Sequence, residues 1–133
     1  SRFIRKGRVI RPEFDGDTVS EGQAYAMLRA VYMDDRKVFD SVFEWTKKHI
    51  SRQENFKDHL LAWRYGKTEK GEIGVMDWTP ASDADLDYAL ALFLASETWY
   101  GVSEYTKEGQ NCIRDIMKKM VVEISGKELL LLP

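Results

Sequence analysis

The chain has 133 residues, enough for one domain with a buried core but not for a large multidomain assembly. Its 20 basic and 22 acidic residues are closely interleaved, leaving a net charge of -2, which argues against the basic face that a nucleic-acid or anionic-membrane partner demands. Cys112 is the sole cysteine and His49 and His59 the sole histidines, so an intrachain disulfide, a thiol-bound zinc and a His-rich metal site are all excluded. No apolar run approaches the roughly 20 residues that span a bilayer. The chain opens at Ser1-Arg2-Phe3 with no secretory leader in view, which says little about its compartment.

In chain order, the first strong helix signal begins at Ser20. Ser20 and Gln23 have capping-box spacing, in which each side chain satisfies the other's exposed backbone donor. Ala24, Met27, Leu28 and Val31 then recur on one apolar face. A second helix is expected over about 35–50, with Val38, Phe39, Val42, Phe43 and Trp45 inward. Only the Met33-Asp34 region separates the two, which predicts an antiparallel pair. Residues 51–81 break the pattern: Gly66, Gly71, Gly74 and Pro80 punctuate a long connection, yet Trp63, Tyr65, Met76 and Trp78 are poor composition for disorder. This stretch reads as an ordered loop with one or two short strands.

A third helix follows Pro80, with Ser82 and Asp85 again at capping-box spacing and Leu86, Ala89, Leu90 and Phe93 as its buried stripe. It ends near Trp99-Tyr100-Gly101. A fourth is expected over about 103–120, with Ile113, Ile116, Met117 and Met120 on one face. The tail, with Val121-Val122-Glu123-Ile124, a turn at 125–128 and leucines at 129–132, reads as a short C-terminal β-hairpin.

If the helices alternate in direction, the first and third run parallel, and Glu21 and Asp83 come to the same end of the bundle, each in a first helical turn. Cleaving a glycosidic bond needs an acid for the leaving oxygen and carboxylates to handle the oxocarbenium charge and the water. A helix N-terminus favours the charged form, which suits Asp83 to stay ionised beside developing positive charge. Glu21 needs the opposite tuning: a proton donor keeps its proton only where burial or a neighbouring negative charge outweighs the helix field. Residue by residue the bland reading is the stronger one. Asp83, Asp85 and Asp87 describe a solvated, capped helix terminus just as well, and Trp63 and Trp78 describe loop anchors. Read functionally, the two tryptophans stack on sugar rings, with Tyr25, Tyr65 and Tyr88 as weaker candidates, while His49 and His59 are surface or structural.

Two segments shift this balance. Residues 20–27, SEGQAYAM, closely resemble the S-E-G-x-(A/G)-Y-(A/G)-M segment of glycoside hydrolase family 8, once called cellulase family D. Residues 81–89, ASDADLDYA, are similar to its second signature, A-(S/T)-D-(A/G)-D-x-x-(I/M)-A, which continues here through Ala91, Leu92, Ala95 and Trp99. Tyr88 stands where Ile or Met is usual, and Phe93 where a smaller aliphatic is usual. Gly7-Arg8-Val9-Ile10, Leu60-Leu61-Ala62-Trp63 and residues 129–133 resemble further family segments, so the likeness runs over essentially the whole chain.

The resemblance implies an all-α fold of helical hairpins forming part of an (α/α)6 barrel, with residues 1–133 as the N-terminal portion of the catalytic domain and a substrate cleft across the N-terminal ends of the inner helices. It implies Glu21 as general acid and Asp83 as the carboxylate at the scissile sugar. Trp63 would stack on a neighbouring ring, and Tyr25, Tyr65, Trp78 and Asp85 complete the candidate substrate contacts. The implied activity is hydrolysis of internal β-1,4 bonds in a polysaccharide, a cellulose-like glucan or bacterial exopolysaccharide, by an inverting mechanism. Its implied place is outside the cell or at the cell envelope, and no metal or organic cofactor is implied. Family members are more than twice as long, and many carry a general-base Asp in the second half. The alternative is therefore a non-catalytic glycan-binding or assembly module, with a second chain or the remaining half-domain completing the barrel.

Overall fold

The computed structural model describes residues 2–131, with side chains through residue 126. It opens with a hairpin that the hydrophobic pattern did not announce: β1 (Phe3–Arg5) pairs antiparallel with β2 (Arg8–Ile10), Ile4 opposite Val9. Both turn residues take positive φ, Lys6 at 50° and Gly7 at 85°, the backbone that matches the twist of the strands it joins. Gly7 is confined to glycine for a second reason, since a Cβ there would lie 2.1 Å from the Ser41 carbonyl oxygen. A 3-10 turn at Pro12–Phe14 leads to β3 (Thr18–Val19), which joins β4 (Arg64–Lys67) and β5 (Ile73–Asp77) in an antiparallel sheet ordered β3-β4-β5. The β4–β5 hairpin is the strand content expected of the long loop, and α3 (Gln53–Phe56) adds one helical turn to it.

Around this small sheet the helices form two pairs. α1 (Ser20–Tyr32) and α2 (Arg36–His49) are joined by a tight turn in which Asp34 is left-handed and the Asp35 carboxylate caps α2, accepting the Val38 N–H at 3.2 Å. α4 (Ser82–Thr98) and α5 (Ser103–Leu131) form the second pair, and α1 packs against both α2 and α4. Buried alanines on both helices, Ala24 and Ala30 on α1 and Ala89, Ala91 and Ala95 on α4, leave room for close approach. Below them Phe39 meets Tyr105 at 5.1 Å and Trp99 at 5.4 Å, both edge to face. No helix among the described residues is long and apolar enough to cross a membrane.

Three expectations are corrected. Neither capping box forms: Val19 and Ala81 occupy the caps, and no side chain bonds there. Gln23 is instead fully buried, its Oε1 accepting the Val9 N–H at 2.7 Å and its Nε2 donating to the Gly7 carbonyl at 2.9 Å and the Thr46 hydroxyl at 3.0 Å. One amide with both donors and its oxygen engaged thus ties the N-terminal hairpin to α1 and α2.

The buried stripe of α4 also differs. Asp85, Tyr88, Ala89, Ala91, Leu92 and Ala95 face inward, whereas Leu86 and Leu90 are 51% and 47% exposed. The helix is apolar on nearly every face, so periodicity could not choose between them, and the alanine side lets α1 come close. Lastly, the expected C-terminal β-hairpin is helix: α5 runs on through Leu131, with Lys119 and Glu123 paired at 3.6 Å one turn apart, while Leu132 and Pro133 lie outside the described residues. β-branched residues favour strands by packing on neighbouring strands, and here no strand among the described residues lies beside them.

Beside the head of α1, buried Asp17 bridges two arginines. Its carboxylate accepts from Arg11 Nε and Nη2, both at 2.7 Å, and from Arg64 Nε at 2.7 Å. Burial alone would push this carboxyl up, but the hydrogen bonds and charges of Arg11 and Arg64 outweigh it and hold it below the usual carboxylate range. A pKa lower in the folded than in the unfolded chain means that the folded state binds fewer protons. The resulting stability is therefore present above about pH 4 and is lost as pH falls through the folded value.

Two stability measurements follow from these contacts. Gly7→Ala should cost ~3 kcal/mol or more, from the left-handed backbone together with the Ser41 clash, whereas Gly16→Ala, at φ 73° with open space around it, should cost only ~1 kcal/mol of backbone strain. Urea unfolding with an unchanged slope reads the difference. Asp17→Asn should cost ~3 kcal/mol at neutral pH by leaving two arginines without their anion, and the gap to the parent chain should narrow below about pH 4. A gap that stays constant between pH 7 and pH 3 would sink the linkage.

Candidate active site

Residues 60–64 are the seam on which the site is built. The Ala62 N–H donates to the Ile50 carbonyl at 2.9 Å and the Arg52 N–H to the Leu60 carbonyl at 3.1 Å, which pins the segment to the end of α2. The Trp63 carbonyl accepts the N–H of Ser20, the first residue of α1, at 3.0 Å, and the Leu61 N–H donates to Asp85 Oδ1 in the first turns of α4 at 3.1 Å. The heads of both helices therefore meet one short stretch of backbone. At the far end the Trp99 indole N–H donates to the Asp34 carboxylate at 2.8 Å, joining the α1–α2 turn to the tail of α4. α1 and α4 run parallel, and Glu21 and Asp83 share one end of the bundle.

Both of these carboxylates are exposed. Tyr25, one turn beyond Glu21, is 64% exposed and borders a groove of about 450 Å³ lined also by Phe3, Ile4, Met33 and Val38. Trp63 is half-buried, with the Arg64 guanidinium 5.7 Å from its ring centre. Hydrogen bonding from the Trp63 side chain, then from Thr79, holds the exposed Asp77 carboxyl below its usual range. Trp78, also half-buried, packs on Phe56 at 5.5 Å, and its carbonyl accepts from Arg52 Nη1 at 2.6 Å.

Other candidates are differently employed. The half-buried Tyr65 ring makes T-shaped contacts with Trp45 at 4.9 Å and His49 at 5.7 Å, and the Arg8 guanidinium lies over it, 5.1 Å from its centre, so packing takes up one of the faces a sugar would use. Tyr88 is buried against Phe43. Asp85, expected among the substrate contacts, is only 1% exposed and turns its carboxyl into the protein. His49 stacks on Trp45 at 4.4 Å, and His59 Nδ1 lies 2.7 Å from Glu108 Oε1, so both histidines are structural. Burial pushes the Cys112 thiol up, which leaves it no nucleophile. Among the described residues no group of His, Cys, Asp and Glu could hold a metal ion.

Arg11 is the residue beside the site that sequence reasoning passed over. Its hydrogen bond to Asp17 raises its pKa against the effect of burial, and the charges of Asp17, Glu13 and Glu21 add to the rise, so a fixed cation stands within electrostatic reach of Glu21. No local signal marks this, because the cluster is completed by Arg64 from a distant strand. The geometry offers two exposed carboxylates at one end of the bundle, on helices anchored to the segment that carries the half-buried Trp63, a set that can hydrogen-bond a polyhydroxylated ligand.

The chain is similar in sequence and fold to known proteins. Residues 1–133 match the family model described as Glycosyl hydrolases family 8. The chain is 36% identical over 130 residues to an endoglucanase of Escherichia coli (strain K12), covering 97% of this chain and 35% of that protein. It is 35% identical over 83 residues to a reducing end xylose-releasing exo-oligoxylanase of Halalkalibacterium halodurans, covering 62% and 20%. Among solved structures it is similar to an endo-1,4-D-glucanase from Vibrio fischeri ES114, with a TM-score of 0.81 and 31% identity over 88% of this chain and 34% of that one. The chain spans about a third of the length of the curated relatives it matches first. Its two helix pairs are part of an (α/α)6 barrel, and the chain belongs to glycoside hydrolase family 8.

Proposed function

We propose that this end of the bundle is the acid side of a glycosidase site, and that the protein hydrolyses internal β-1,4 bonds of a polysaccharide with inversion. The observation that supports it best is the joint anchoring of the heads of α1 and α4, which bear Glu21 and Asp83, on the backbone of residues 61–63. Glu21 gives its proton to the leaving oxygen while water attacks the opposite face in a single displacement, its own proton passing to a carboxylate base of the kind family members carry in their second half. The gap between acid and base that admits this water is roughly 6.5–9.5 Å in inverting enzymes generally. Asp83 binds and distorts the scissile sugar. Trp63 stacks on an adjacent ring, and Tyr25 and Trp78 extend the contact surface. Because Glu21 is exposed in the free chain, the dry surroundings that a proton donor needs come from the bound sugar itself.

The endoglucanase relatives support a β-1,4-glucan as the substrate, and a polymer too large to enter a cell supports action outside it or at the envelope. A second reading, glycan binding or assembly without cleavage, is favoured by the exposed Leu86, Leu90 and Leu94 of α4, an apolar row suited to further barrel helices rather than to solvent.

Reducing ends released from carboxymethyl-cellulose test both readings. Glu21→Gln should lower the rate by about 1,000-fold while leaving cellopentaose binding within about threefold, since the amide keeps the shape and loses the proton. Asp83→Asn should weaken rate and binding together. Undiminished cleavage by Glu21→Gln would sink the acid assignment, and binding by the parent chain without cleavage would favour the second reading.

A further inference from the structure

Asp85 is a group that the mechanism leaves unused. It lies two residues after Asp83 and is 1% exposed, and its two oxygens have different fates. Oδ1 accepts the Leu61 N–H at 3.1 Å, while Oδ2 is buried with no hydrogen-bond partner. A carboxyl in such a place costs stability, because an unsatisfied buried polar atom loses its water without return. A leucine would pack there without that cost, so the carboxyl calls for a reason beyond packing.

The path of hydrogen bonds supplies one. From Asp85 the path runs to the Leu61 N–H, along two residues of backbone to the Trp63 carbonyl, and from there to the Ser20 N–H beside Glu21. The Ala62 and Trp63 N–H groups are taken by Ile50 and Thr79, so the segment cannot slide to offer Leu61 another acceptor without breaking those bonds. We infer that Asp85 is a positioning residue of the site: by holding the Leu61 N–H it ties the head of α4 to the pinned segment on which Ser20 is anchored, and so fixes the separation of Glu21 from Asp83. The inference rests on the proposed glycosidase reading of that end of the bundle.

The charge state of the group agrees. Desolvation pushes the Asp85 carboxyl up to about 7, against the lowering effect of the Leu61 hydrogen bond. Lys119 from α5 and Arg52 favour its ionised form, and Asp58 opposes it, while Tyr88 and Cys112 are buried within its electrostatic reach. Below that value the carboxyl is neutral, and a neutral acceptor is all that the Leu61 bond requires. An amide should therefore replace it.

The test compares Asp85→Asn, which keeps an acceptor oxygen, with Asp85→Leu, which fills the space without one, at pH 6 with cellopentaose. Asp85→Asn should stay within about threefold of the parent in kcat and KM, whereas Asp85→Leu should remain folded and lose about 100-fold in kcat with little change in KM, the signature of misplaced rather than missing groups. If the parent chain binds without cleaving, the same contrast is read in the Kd from tryptophan fluorescence. Undiminished kcat or affinity in a folded Asp85→Leu overturns the inference, as does an Asp85→Asn that falls as far as Asp85→Leu. Should Asp85→Leu not fold, amide hydrogen exchange decides: Leu61 and Ser20 protected in both the parent and Asp85→Asn uphold the link, and either amide exchanging freely in the parent overturns it. Undiminished cleavage in Glu21→Gln would sink the acid assignment on which the inference rests and leave the exchange result standing.

Discussion

The hydrogen-bonding obligations of residues 60–64 govern the rest of this structure. The segment lies against the residues that follow α2, and its backbone groups are distributed among Ile50, Arg52, Thr79, Ser20 and the Asp85 side chain. Each such bond contributes only about 1 kcal/mol net, but leaving a buried donor unmade costs more, so the set tolerates little displacement. The two helices bearing Glu21 and Asp83 are therefore located by backbone chemistry rather than by the packing of large side chains. This suits a reaction whose geometry must be held to a fraction of an ångström.

α4 shows how packing and site placement act together. One side of the helix is alanines with Leu92, and it is buried against α1 and α5; the other side carries Leu86, Leu90 and Leu94, and it is exposed. Two apolar faces on one helix are expected of an inner element of a larger helical barrel, in which each such helix has neighbours on both flanks. The inward face includes the Asp85 carboxyl at its N-terminal end, which weakens the core locally and binds the helix head to the seam.

Charge is arranged on the same scale. Asp17 gathers Arg11 and Arg64 across β3 and β4, next to the start of α1, so the sheet edge and the helix head are held by an ion cluster as well as by the Ser20 amide. Gln23 does for the N-terminal hairpin what Asp17 does for the sheet, with neutral hydrogen bonds in place of charged ones. Both are buried polar groups whose partners are fully supplied, which is why they specify one arrangement without an unsatisfied remainder.

Much of this was legible in the residues alone. Local periodicity and turn chemistry determined the α1–α2 pair, the start of α4 after Pro80 and the ordered character of 51–81. The SEGQAYAM and ASDADLDYA segments determined the family and singled out Glu21 and Asp83. Those signals are local, because helix period, proline and motif spacing are written in consecutive residues. Only the tertiary structure decided which apolar face of α4 turns inward, that residues 121–126 continue a helix, that Gln23 and Asp85 are buried bonds rather than caps, and that Tyr65 packs against Trp45, His49 and Arg8. For α4, Gln23, Asp85 and Tyr65 the deciding partner lies far away in the chain. A residue's own spacing states what it can bond or bury, but its distant neighbours settle which of those options the fold uses.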